Sequence, residues 1–178
     1  MDPISPQIKV CGLTREEDVA FCLAQQIHWI GFNFVSWSKR FVDPALARKL
    51  WVGALQSIPA LASKDQSHPI AVVANHRRDE LEQMIIAFPE LQGVQFHGGE
   101  TSAFIADFRV AHPDLFIIKA VPVADISDIA RLKPGSYGVN LILFDTALPS
   151  LEGVGQRLAA EVVFPPKISG GAGRPFPW

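Results

Sequence analysis

Apolar residues along the chain gather into short β-branched or aromatic runs, separated by longer stretches in which apolar positions recur with helical period. Six runs stand out: IKVC at 8–11, WIGFNFV at 29–35, PIAVVAN at 69–75, GVQFH at 93–97, FIIKA at 116–120 and NLILFD at 140–145. Their length and content fit buried strands, and the period of the intervening stretches predicts helices over about 15–24, 44–56, 78–87, 102–110 and 126–132. Two helix starts carry their own signals. Thr14 and Glu17 have the spacing of a capping box, and Asp43 offers an N-cap followed by Pro44 at the first helical position. Strands that alternate with helices in this way form βα units around a parallel sheet with right-handed crossovers. The pattern leaves open whether that sheet is a doubly wound layer or curls toward a barrel. No heptads, short repeats or low-complexity tracts interrupt it, and LASKDQSHP before the third run reads as a surface loop.

Composition narrows the setting. At 178 residues and 48% hydrophobic content the chain suits a single domain spanning 1–178. A formal charge of −2, with both signs mixed along the sequence, provides no basic stripe for a nucleic-acid backbone, so nucleic acid is not an expected partner. No apolar run approaches the ~20 residues that span a bilayer, so no membrane partner is expected. The start MDPISPQ has neither a basic nor an apolar leader segment. The only cysteines, Cys11 and Cys22, cannot build a disulfide framework, and a reducing cytoplasmic location is expected, with Cys11 a free thiol.

Candidate chemistry lies where both α/β architectures place it, at the carboxyl ends of strands. Cys11, His97 and Asp145 each end a run. Because side chains alternate along a strand, Lys9 shares a face with Cys11, Gln95 with His97, and Leu141 and Leu143 with Asp145. Each residue also has a plainer reading. Cys22, among Val19, Ala20 and Leu23, reads as a small core hydrophobe. Asp145 fits a loop cap, His97 before Gly98 and Gly99 fits a turn, and Arg40 fits a solvated loop charge. Cys11 is set apart by Gly12, which suits close approach of backbone to ligand, and by Lys9, whose charge would favour a thiolate.

In sequence order, KVCGLT, GFNFVSWSKRFV, AVVAN, VQFHGGE, IIKA, LILFD and GGAGRPFPW resemble the landmarks of the phosphoribosylanthranilate isomerase family. The resemblance covers nearly the whole chain, and KVCGLT with VQFHGGE is its most specific part. It implies a (β/α)8 TIM barrel and an Amadori rearrangement of a phosphorylated small-molecule substrate, without metal or organic cofactor, in tryptophan biosynthesis. It also implies that Cys11 is the general base and Asp145 the general acid, the latter raised by burial so that it keeps its proton. By the same resemblance Arg40 pairs with the anthranilate carboxylate, while Lys9, Gln95 and His97 line the substrate site.

Two features depart from the family pattern. The stretch TALPSLEGVGQRLAAEVVFPPKI separates Asp145 from the glycine-rich segment, and FPW stands where Phe-Asp-Trp is usual. The sequence ends at Trp178, before strands seven and eight of a fold that typically takes about 250 residues and builds its phosphate site from the loops after those strands. An incomplete barrel of about six βα units, lacking that site, is therefore the expectation. Its open edges would be covered by the segment 146–178, with LAAEVVF at 158–164 as a strand or short helix, or by a homodimer joined at the sheet edges. The alternatives kept open are an inactive remnant acting as a binding protein and another phosphosugar-binding βα-barrel enzyme.

Overall fold

The computed structural model describes residues 6–58, 67–132 and 135–146. Six strands, β1 (Lys9–Cys11), β2 (Trp29–Asn33), β3 (His68–Val73), β4 (Gly93–Phe96), β5 (Phe116–Val123) and β6 (Leu141–Thr146), alternate with five helices. The helices are α1 (Glu16–Ala24), α2 (Pro44–Ser57), α3 (Arg78–Ala87), α4 (Ser102–Ala111) and α5 (Ile126–Arg131). All neighbouring strands are parallel and the spatial order is β1-β2-β3-β4-β5-β6. A doubly wound sheet requires a reversal of strand order at a switch point. Among the described strands none occurs, each crossover advances in one direction, and the sheet curls as part of a βα barrel.

Alternation along the strands divides the residues between two surfaces. Ile30, Phe32, Ala71, Val73, Val94, Phe96 and Ile117 join Val19, Leu50, Trp51, Leu81, Met84, Ile105 and Phe108 in the core between sheet and helices. Lys9, Cys11, Gln95 and Leu143 lie on the opposite, concave surface with the other cleft residues. Cys22 is in the helix-side core at 6% exposure, as its neighbours implied, and burial pushes its thiol up.

Several local expectations change. Thr14 does not cap α1. Arg15 is the N-cap, with φ −131° and no side-chain capping bond, and its guanidinium pairs with Glu17 instead. The acidic first turn, Glu16, Glu17 and Asp18, still suits the positive end of the helix dipole. Asp43 does cap α2, accepting from the Leu46 N–H at 2.9 Å ahead of Pro44. Strand β2 stops at Asn33, whose side-chain oxygen accepts from the Val35 N–H at 3.0 Å and turns the chain. Strand β5 runs on to Val123, paired with Thr146 of β6. Among the described residues β1 and β6 pair on one side only, and Leu141 and Phe144 of β6 are 46% and 42% exposed. The predicted element at 158–164 and its packing against the sheet lie outside the described residues. Among those described, no helix is long and apolar enough to cross a membrane.

Candidate active site

The concave surface opens at the carboxyl ends of the strands into a cleft of about 220 Å³, and all six residues singled out from the sequence line it: Lys9, Cys11, Arg40, Gln95, His97 and Asp145. Asn33, Val35, Val72 and Leu143 complete the lining.

On β1, Lys9 Nζ donates to Cys11 Sγ at 3.0 Å, so the shared face predicted from alternation is also a direct contact. Room for this pair comes from Gly31, which sits beside Cys11 in the sheet register. A Cβ on Gly31 would stand 2.6 Å from Cys11 Sγ and 2.9 Å from Lys9 Nζ. Gly12, at φ +78°, turns the chain out of β1 and donates to the Gly31 carbonyl at 2.7 Å. Arg40 folds back across that turn. A Cβ on Gly12 would meet Arg40 Cδ at 2.7 Å, and Arg40 Nη1 reaches the Cys11 carbonyl at 3.4 Å. Gly12 thus serves a left-handed turn and the close passage of Arg40 at once.

Asn33 sets the path that brings Arg40 there. Its Nδ2 donates to Ser38 Oγ at 3.0 Å, and the same Oγ accepts from the Arg40 N–H at 3.2 Å. Sequence reasoning passed over Asn33 and Gly31. A small residue and a carboxamide in the second run, WIGFNFV, were the signals available.

Across the cleft, Gln95 Nε2 lies 2.8 Å from His97 Nδ1, and His97 Nε2 lies 3.0 Å from Asp145 Oδ2. Asp145 also accepts from the Thr146 N–H at 2.9 Å. The expectation that burial raises Asp145 is corrected here. Its hydrogen bond to His97 outweighs desolvation and, with the imidazole's charge and the Thr146 N–H, holds the carboxyl below the usual aspartate range. The apolar strand LILF does not override this, because β6 lies at the edge of the described sheet and is half exposed.

The turn after His97 rests on a second polar cluster, absent from the sequence reading. Lys119 and Glu100 form a buried ion pair at 3.1 Å. Lys119 Nζ also donates to the Gly98 carbonyl at 2.6 Å, while Glu100 accepts from the N–H groups of Gly98 at 3.0 Å and Asn75 at 2.7 Å. Burial pushes the Lys119 ammonium down and Glu100 opposes that shift. Lys119 pairs in register with Phe96, which faces the helices, so this cluster supports the cleft from behind. No cluster of three or more metal-ligating side chains occurs among the described residues.

No protein-family model matches the chain. It is 30% identical over 175 residues to the N-(5'-phosphoribosyl)anthranilate isomerase of Zymomonas mobilis, covering 98% of this chain and 70% of that protein. Its fold matches a crystal structure of monomers of the dimeric phosphoribosylanthranilate isomerase from Thermotoga maritima, with TM-score 0.63 and 26% identity over 80% of this chain and 64% of that one. A phosphoribosylanthranilate isomerase in complex with reduced 1-(o-carboxyphenylamino)-1-deoxyribulose 5-phosphate matches with TM-score 0.64 and 25% identity, over 80% of this chain and 66% of that one. The chain spans about two thirds of the length of these proteins.

Proposed function

We propose that this chain, which belongs to the N-(5'-phosphoribosyl)anthranilate isomerase family, catalyses the Amadori rearrangement of N-(5'-phosphoribosyl)anthranilate to 1-(2-carboxyphenylamino)-1-deoxyribulose 5-phosphate. The observation that carries the proposal is the convergence on one cleft of a lysine-bound thiol, a histidine-bound carboxyl and a guanidinium fork that reaches the Cys11 carbonyl.

The chemistry needs an acid and a base on the two sides of one sugar carbon chain. Asp145 delivers a proton to the furanose oxygen. The C1'–O bond breaks, and the nitrogen lone pair forms a C1'=N bond. Cys11 then removes the C2' proton, and those electrons pass into the C1'–C2' bond to give an enolamine. Ketonisation returns a proton to C1' and leaves a carbonyl at C2'. Atoms and electrons balance within the substrate, so no external oxidant or reductant enters. Lys9 holds the Cys11 sulfur as a hydrogen-bond acceptor, the arrangement in which a thiol group works as a base. With Asp145 held down, the proton for ring opening belongs to the His97–Asp145 pair as a unit.

Arg40 binds the anthranilate carboxylate in this scheme, since a planar fork offers a carboxylate two parallel charge-assisted hydrogen bonds. Such an interaction is made in ground and transition states alike. Arg40→Ala is expected to raise KM by about 10-fold or more while kcat changes little. A fall in kcat at unchanged KM would place Arg40 in the chemical step instead.

In this proposal residues 1–178 act as one domain in the cytoplasm. The exposed Leu141 and Phe144 of β6 support a homodimer joined along the sheet edges. Light scattering at micromolar concentration is expected to give twice the chain mass, and a monodisperse monomer would remove that part of the proposal. The decisive test of activity follows the loss of substrate fluorescence when phosphoribosylanthranilate is generated in situ. Turnover above the uncatalysed rate supports the isomerase. Binding of the reduced product analogue without turnover supports the remnant reading.

A further inference from the structure

Gln95 is 2% exposed, and its Oε1 has no hydrogen-bond partner among the described residues. Its Nε2 faces His97 Nδ1 at 2.8 Å. An amide N–H donates, so in this orientation Nδ1 accepts, and a neutral ring carries its proton on Nε2, pointed at Asp145 Oδ2 3.0 Å away. Asp145 is then ionised. The acid step requires the other arrangement, with a proton on Asp145 bound to a bare Nε2 or with the ring doubly protonated. Both place a proton on Nδ1, where a second donor cannot face it. Rotation of the carboxamide by half a turn presents Oε1 there instead, with almost no change in shape. Because no described group fixes the far end of the amide, its orientation follows the state of Nδ1.

We infer that Gln95 is a positioning residue whose carboxamide reverses with the protonation of His97, donating to Nδ1 while Asp145 is ionised and accepting from it while the His97–Asp145 pair holds the proton for ring opening. The inference rests on the proposed role of Asp145 as the acid. The surroundings leave the amide to His97. Val72 and Ile118, its register partners on β3 and β5, are apolar. The charged and titratable groups of the cleft are Lys9 and Cys11 on β1, Arg40 after β2, and Asp145 on β6. Lys119 and Glu100, nearest on β5 and the following turn, are bonded to each other behind the sheet.

The test reads the ring and the amide directly in the 15N-labelled chain. Long-range 1H–15N spectra are expected to show neutral His97 with its proton on Nε2, and the Gln95 side-chain amide resonances are expected to move through the His97 titration with the same midpoint. Gln95→Glu, an acceptor at both ends, should place the proton on Nδ1 and raise the His97 midpoint by about one pH unit or more. Gln95→Met, which neither donates strongly nor accepts, should abolish the tautomer preference and lower kcat about 10-fold with KM within about twofold. Amide resonances that stay fixed while His97 titrates would overturn the inference, as would a His97 tautomer and midpoint unchanged in Gln95→Met. A variant that raises KM and leaves kcat intact would also overturn it, since Gln95 would then bind substrate. The resonances require no turnover. A linked titration in a chain without isomerase activity would uphold the Gln95 switch and count against the proposed function alone.

Discussion

Asp145→Asn and Cys11→Ser are each expected to lower kcat by about 100-fold or more, the scale of one general acid or base contribution. The two substitutions are close to isosteric, so the cleft should survive both. Asparagine keeps one oxygen, which can accept from the His97 Nε2–H or the Thr146 N–H but not both, because Asp145 meets them with different oxygens, and it has no acidic proton to give the ring oxygen. Serine keeps a group for Lys9 to approach, but a hydroxyl does not ionise near neutrality as a thiol group can. Steady-state assays with circular dichroism of each variant check the prediction. Activity retained by a folded variant would remove that residue from the mechanism. The double variant should lose little more than the worse single one if ring opening and proton abstraction are steps of one sequence.

Lys119→Met is expected to cost about 3–5 kcal/mol of folding stability, the usual result of stranding one member of a buried ion pair. Glu100 would keep the N–H groups of Gly98 and Asn75 but lose its only cation within bonding distance among the described residues. Urea denaturation followed by circular dichroism measures the loss. Adding Glu100→Gln to Lys119→Met should restore part of it, because the uncompensated carboxylate is then gone. A pH series gives an independent sign. An unpaired buried carboxyl binds its proton more tightly folded than unfolded, so the single variant should regain stability as pH falls toward the carboxylate range. A loss below about 1 kcal/mol would mean that water reaches the pair and that it is not the support of the β4 turn described above.

The order and type of the eleven elements among the described residues were legible because hydrophobic period is a strong signal when strands are buried on both faces and helices on one. Ends were less so. Arg15 displaced Thr14 at the start of α1, and the Asn33 side chain closed β2 before its apolar run was finished, both through local hydrogen bonds with no periodic signature. Closure toward a barrel was undetermined by pattern, since a doubly wound sheet has the same alternation and strand order is a property of space. The cleft was readable as a set of strand ends and shared faces, which brought Lys9 to Cys11 and Gln95 to His97. The state of Asp145 was not, because it depends on a residue 48 positions away that became its neighbour only through the sheet. Gly31 escaped for a related reason. A missing side chain has meaning only when the atoms that fill its place are known.

The sequential order of the strands also fixes when the site can exist during synthesis. Each strand pairs with the one made just before it, so the nascent chain can extend the sheet unit by unit as it leaves the ribosome. Cys11, the proposed base, arrives with the first described strand, and Asp145, the proposed acid, with the last described one. Through that interval Cys11 already has its lysine and its Gly31 neighbour on β2, and His97 has its glutamine, while neither faces a carboxyl. The two halves of the cleft are prepared separately, and under the proposed mechanism the acid–base pair is complete only once β6 docks against β5.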